Sequence, residues 1–90
     1  MAIYIDDARI KRSLGHSVKR WSHLVAIPLD ENELTEFADR IGLSREWIQR
    51  SSFLHFDVSK PMRKKAIAAG AIAITARQLV EKVRAERSRH

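Results

Sequence analysis

Apolar residues fall along this chain in short blocks, and their spacing predicts its elements. Residues 2 to 5, Ala-Ile-Tyr-Ile, form a continuous apolar run that ends at once in Asp6 and Asp7. Such a run suits a short strand buried on both faces, as in a parallel sheet. Residues 8 to 20 mix polarity around Gly15 and two serines and read as a long loop. Leu24-Val25-Ala26-Ile27 reads as either a second short strand or a packed loop, closed by Pro28.

A helix is expected next. Asp30 stands three residues before Glu33, which is capping-box spacing with Asp in place of Ser or Thr. Leu29 and Leu34 suit a hydrophobic staple, Leu34, Phe37, Ala38 and Ile41 mark one apolar stripe, and Gly42 supplies the stop. Residues 44 to 50 are ambiguous, although Trp47 and Ile48 need somewhere to pack. "SFLHFDVS" reads as a strand rich in aromatic and branched residues. A helix follows, with Ser59 as its cap, Pro61 in its first turn and Gly70 past its end. "AIAIT" is another short strand, and Thr75 with Gln78 opens a last helix whose Leu79, Val80 and Val83 form a narrow apolar face.

Strand, helix, strand, helix with tight joins predicts parallel pairing through right-handed crossovers. Adding the first strand and first helix gives a small three-layer βαβαβα domain of the α/β class, its sheet mainly parallel and at least three strands wide. Ninety residues hold one core, so residues 1–90 are expected as a single domain, with 84–90 a basic C-terminal tail and a candidate for disorder.

Charge changes this picture more than composition does. Seventeen Lys and Arg against eleven Asp and Glu leave a net +6, and the pI is near 10.3. The cations cluster: Arg9, Lys11, Arg12, Lys19 and Arg20, then Lys60, Arg63, Lys64 and Lys65, then Arg84, Arg87 and Arg89, while the acids gather between Asp30 and Asp39. Segregated positive charge implies an anionic partner such as a nucleotide or nucleic acid, or else a solvated basic surface. The absence of cysteine excludes disulfides, thiolate metal sites and a cysteine nucleophile. With no secretory signal and no apolar run near 20 residues, the expected location is the cytoplasm, with no membrane partner.

Ligands of open parallel sheets bind beyond the carboxyl ends of the strands. Those ends are expected at Asp6 and Asp7, at Asp57 with Ser59, and at Thr75. Asp6, Asp7 and Asp57 clustered there would suit Mg²⁺ or Mn²⁺ and phosphate chemistry, and His23 and His55 would add nitrogen ligands or acid–base groups. Structural roles stand beside these: Asp6 or Asp7 can stabilise a turn, Asp57 can cap a helix, and His55 can simply pack. The helix starting near Lys60 carries Arg63, Lys64 and Lys65 and no acid in its first turns, and Arg77 repeats the pattern in the last helix. Cations at a helix N-terminus oppose its dipole unless an anion sits there, which points to a phosphate. Trp21, in "KRWSH", either stacks on a base or anchors its loop to the core.

The segments "YIDDARI", "RWSHL", "ELTEFADRIGL", "REWIQ", "HFDVS" and "KKAIAAGAIAIT", in this order, resemble the domain of unknown function 4031 family of bacteria and phages. The resemblance covers nearly the whole chain. It aligns Tyr4, Asp6 and Asp7 with a Y-x-D-D start and Trp21 and His23 with a W-x-H loop. Glu33, Leu34, Phe37 and Ala38 align with a helix motif, and His55 and Asp57 with an H-Y-D segment in which Phe56 replaces tyrosine. Thr35 and Ile27 depart from the histidine and aspartate that the pattern carries at those positions. The resemblance implies that Asp6, Asp7, His23, His55 and Asp57 act together and names no reaction.

The expected function is binding of a phosphate-bearing ligand, a nucleotide or nucleic-acid end, with metal-assisted phosphoester hydrolysis as the candidate activity. The alternatives are a non-catalytic nucleic-acid-binding accessory protein using residues 9 to 20 and the tail, and a small interaction module, for instance a homodimer.

Overall fold

The computed structural model describes residues 2–7, 10–14, 17–50 and 52–88, and for residues 10–14 and 17–20 the backbone alone. One long strand organises the sheet. After β1 (Ala2–Ile5) and β2 (Ile10–Leu14), β3 runs for eleven residues from Ser17 to Ile27. The first half of β3 pairs antiparallel with β2, from Leu14↔Ser17 to Ile10↔Trp21. Its second half pairs antiparallel with β1, from Ile5↔Leu24 to Ala2↔Ile27. On its other side it takes β4 (Phe56–Val58), also antiparallel, with His23 opposite Asp57 and Leu24 opposite Phe56. The two-residue β5 (Ile72–Ala73) adds parallel to β1.

The sheet is therefore mixed and mostly antiparallel, with β1–β5 its parallel pair. This corrects the mainly parallel βαβαβα domain expected from the sequence. The error lies in residues 8 to 20, expected as a loop, where the described residues form β2 and the first half of β3; residues 8, 9, 15 and 16 lie outside the description. A mostly polar and basic run carries no buried-strand signal, so Leu24–Ile27 looked like an isolated piece instead of the end of a long strand. An antiparallel partner needs only a tight hairpin, whereas a parallel one needs a long crossover. Part of the expected directionality survives nonetheless. Because β3 opposes both β1 and β4, and β5 follows β1, the strands β1, β4 and β5 all run the same way.

Helices cover both faces of the sheet. They are α1 (Glu31–Ile41), α2 (Lys60–Ala68) and α3 (Ala76–Arg87), with a 3-10 turn at Arg45–Trp47 between α1 and β4. Successive strand residues face opposite ways. Leu24 and Ala26 accordingly join Ile3, Ile5, Phe56 and Val58 against α1 and α2, through Leu34, Phe37, Ala38, Ile41 and Ala66. Val25 and Ile27, with Tyr4, meet Leu79 and Val83 of α3 on the other face.

Both ends of α1 and the start of α3 follow the expected cap chemistry, whereas Ser59 makes no side-chain capping bond at the start of α2. Glu33 N–H donates to the Asp30 carboxylate, and Gly42, in the left-handed region at φ 88°, closes α1 by donating to the Ala38 and Asp39 carbonyls. Thr75 and Gln78 form the full reciprocal box at the start of α3. The helix continues through Arg87, and residues 89 and 90 lie outside the description. Among the described residues no helix is long and apolar enough to cross a membrane.

Leu24 is fully buried and faces Ile5 on one side and Phe56 on the other. Leu24→Ala is expected to cost about 2–5 kcal/mol, lowering the urea midpoint at unchanged m-value, whereas Ile72→Ala on the exposed edge strand should cost under about 0.5 kcal/mol.

Candidate functional site

The site begins with a buried charge. Asp6 follows β1 and its side chain is only 1% exposed. A carboxylate at that depth requires hydrogen-bonded partners, and His23 supplies two of them. The main-chain N–H of His23 donates to Asp6 Oδ1 at 2.8 Å, and its ring Nδ1 lies 2.7 Å from Oδ2. The Asp6 main chain returns a bond, its N–H donating to the His23 carbonyl at 3.2 Å. From behind, Arg63 of α2 donates from Nε to the Asp6 carbonyl at 2.9 Å.

His55 is held in the same manner by a different partner. Its Nδ1 lies 2.8 Å from the Phe53 carbonyl, which can only accept, so Nδ1 carries the hydrogen. In the neutral ring Nε2 is then the lone-pair nitrogen, and it lies 3.4 Å from Asp57 Oδ1. The His55 backbone is fixed by two bonds with Gln49, at 2.7 and 3.1 Å. The two imidazoles meet edge to face at 5.2 Å, and the Phe53 ring packs against both, at 6.0 Å from His23 and 4.7 Å from His55.

His23, His55 and Asp57 thus converge. One ligand atom from each lies within 4.8 Å of the others, the one such group found among the described residues. Ligands about 2.1 Å from a shared ion stand roughly 3.4 Å apart in tetrahedral geometry and at most about 4.2 Å, so the side chains must draw together by on the order of 1 Å to complete the set. Side-chain exposures of 22%, 9% and 15% for His23, His55 and Asp57 leave the group reachable from solvent. Asp57 also lines a cavity of about 500 Å³ whose walls include Trp21, Trp47, Leu43 and Met62, with Ser59, Gln49 and Glu46 as polar edges. Trp47 is 58% exposed, and the buried Nε1 of Trp21 has no hydrogen-bond acceptor among the described residues.

The other residues expected at the site divide. Asp7 turns away from Asp6, and its Oδ1 accepts the Ala76 N–H at 2.9 Å, so it serves as the anion at the start of α3. Thr75 caps that helix, and Arg77 is exposed and pairs with Glu81 at 3.5 Å. Lys64 is exposed on α2. Ser59 begins α2 without a side-chain capping bond and faces the cavity. Sequence reasoning did not place Phe53, Gln49 or Trp47 at the site. The available signal for Phe53 was its period-two spacing with His55 and Asp57, which puts all three on one face of an extended segment.

A family model described as a protein of unknown function, DUF4031, matches residues 3–86. The chain belongs to that family. No curated protein and no solved structure matches it. The matched span contains every residue of the candidate site described above, from Asp6 to Arg63.

The pKa of His23 is raised, chiefly by its hydrogen bond to Asp6, against a lowering from burial, with the charges of Asp6 and Asp57 adding to the rise. A folded-state value above the unfolded one, about 6.5, means that protonated His23 stabilises the fold. That contribution is fully present below about pH 6.5 and is lost as pH rises through the folded value. In EDTA, melting temperature should therefore decline with pH through that window, and His23→Gln should remove that decline. An identical pH slope in the variant would show that the pair carries none of it.

Proposed function

We propose that His23, His55 and Asp57 bind a divalent transition-metal ion and that the site hydrolyses phosphoesters, with a nucleotide or nucleic-acid end as substrate. The observation that carries this reading is the way both rings are held. Asp6 and the Phe53 carbonyl each engage Nδ1, which leaves Nε2 of each ring for a ligand, that of His55 lying 3.4 Å from Asp57 Oδ1. Carboxylate and carbonyl bonds to the far nitrogen are the usual support behind histidine metal ligands, because they fix the tautomer and raise ligand basicity.

Two imidazoles and one carboxylate suit Mn²⁺, Zn²⁺ or Fe²⁺ better than Mg²⁺, which prefers oxygen. Three protein ligands also leave coordination positions open, as in catalytic sites. A bound ion would supply a low-pKa water and offset phosphate charge. The chain's own groups account for the rest. Arg63 brings positive charge behind the pair, and Ser59 with the cation-rich start of α2 offers N–H groups and charge to an anion. The cavity beside Asp57 has two indole walls against which a base can stack.

Titration of the EDTA-treated protein with Mn²⁺, followed by electron paramagnetic resonance, should give one site per chain. His55→Ala or Asp57→Ala should abolish it, and Asp6→Asn should weaken it by about 10- to 100-fold. Phosphodiesterase activity on bis-p-nitrophenyl phosphate should follow the same order. Binding that survives the His55→Ala/Asp57→Ala double variant would refute the assignment.

A further inference from the structure

The ribbon made by β2 and the first half of β3 touches the site at Trp21, and its register raises an electrostatic problem. Lys11 stands directly opposite Arg20, and Arg12 directly opposite Lys19. Like charges at directly opposed positions destabilise a strand pair. Here two such pairs are adjacent, and residues 8 to 20 contain no acid to offset them. Among the described residues β2 pairs with β3 alone, and the β3 segment from Ser17 to Trp21 pairs with β2 alone, because β3 meets β1 only from Leu24 onward and β4 only from Ser22 onward. The two-stranded ribbon therefore extends past the sheet.

We infer that this ribbon binds double-stranded DNA, lying in the major groove, and presents it to the His23–His55–Asp57 centre. Successive strand positions belong to opposite faces, so the Lys11–Arg20 pair belongs to one face of the ribbon and the Arg12–Lys19 pair to the other. Cations on both faces suit an anionic partner that encloses the ribbon. A groove walled by two phosphate backbones provides that, whereas a lipid surface or an acidic protein patch meets one face only. The B-form major groove, about 12 Å wide, admits a two-stranded β-ribbon, while the A-form RNA major groove is too narrow. The distance also fits. Arg20 precedes His23 by three residues of one continuous strand, roughly 10 Å, and Trp21 between them borders the cavity beside Asp57. This deepens the phosphoester reading by naming its substrate, and it rests on that reading for what the centre does once DNA is held.

The test is fluorescence anisotropy of a labelled duplex with the full chain in EDTA, across a salt series. With four phosphate contacts, log affinity should fall against log salt with a slope near −4. Arg12→Gln with Lys19→Gln should reduce that slope by about 2 and weaken binding about a hundredfold at roughly 50 mM salt. Arg84→Gln with Arg87→Gln, which removes the same charge from α3, should change affinity less than about threefold. Lys19→Glu controls for folding: facing Arg12, it should melt no lower than the wild type and still bind DNA more weakly. Equal weakening by the α3 variant, an unchanged slope in the ribbon variant, or ribbon-dependent binding to phosphatidylserine vesicles with no duplex binding would each overturn the inference. EDTA removes divalent ions, so failure here leaves the metal assignment standing, and a failed metal titration leaves DNA binding by the ribbon standing while removing the chemistry assigned to the centre.

Discussion

A carboxylate buried as deeply as Asp6 persists only if its surroundings replace the water it has lost. Two of the replacing bonds come from one residue on the neighbouring strand, His23, which donates from its main chain and from its ring. That single pairing ties three parts of the molecule together. It locks the end of β1 to the middle of β3, it gives Arg63 of α2 a carbonyl to hold, and it fixes the rotation of the His23 ring. The ring orientation then decides which nitrogen faces His55 and Asp57. Loss of Asp6 would thus disturb the fold and the chemistry together, so metal affinity and stability have to be measured side by side in any Asp6 variant.

The adjoining Asp7 shows how two identical side chains in sequence acquire different work. In extended chain, neighbours leave on opposite sides. One carboxylate goes inward to the imidazole, and the other reaches the first N–H of α3, where the helix dipole favours negative charge. The start of α3 has its anion within the protein itself. The start of α2, with Lys60, Lys64 and Arg63 and no acid in its first turn, has none on its own element.

Local chemistry was well legible in the sequence where it depends on neighbours a few residues apart. Asp30, Gly42, Thr75 and Gln78 act at the helix ends where their spacing put them, and the stripe of Leu34, Phe37, Ala38 and Ile41 faces the core. Pairing direction was not legible, because it is set by residues 10–14 and 17–21, whose polar and basic content hides the strand. The placing of Asp6 and Asp57 at one edge of the sheet needed only that β1 and β4 share a direction, and the mixed sheet meets that condition. What the strand-end rule could not give was the opposing strand β3, which sets His23 across from Asp57 and makes Asp6 a support for the ring. Two short spacings carried that information: Trp21 with His23, and His55 with Asp57, each two apart and so on one face of a strand.

The central claim is that both imidazoles are pinned through Nδ1 and leave Nε2 unprotonated for a ligand. Long-range ¹H–¹⁵N correlation spectra of the metal-free protein test it most directly, recorded above the raised pKa of His23. The account predicts that His23 and His55 both show the Nδ1–H tautomer, with the Nε2 resonances at the shift of a bare nitrogen and moving on addition of Zn²⁺. An Nε2–H tautomer for either ring would contradict it, because the nitrogen assigned to the ligand would then carry a proton and point the wrong chemistry at Asp57.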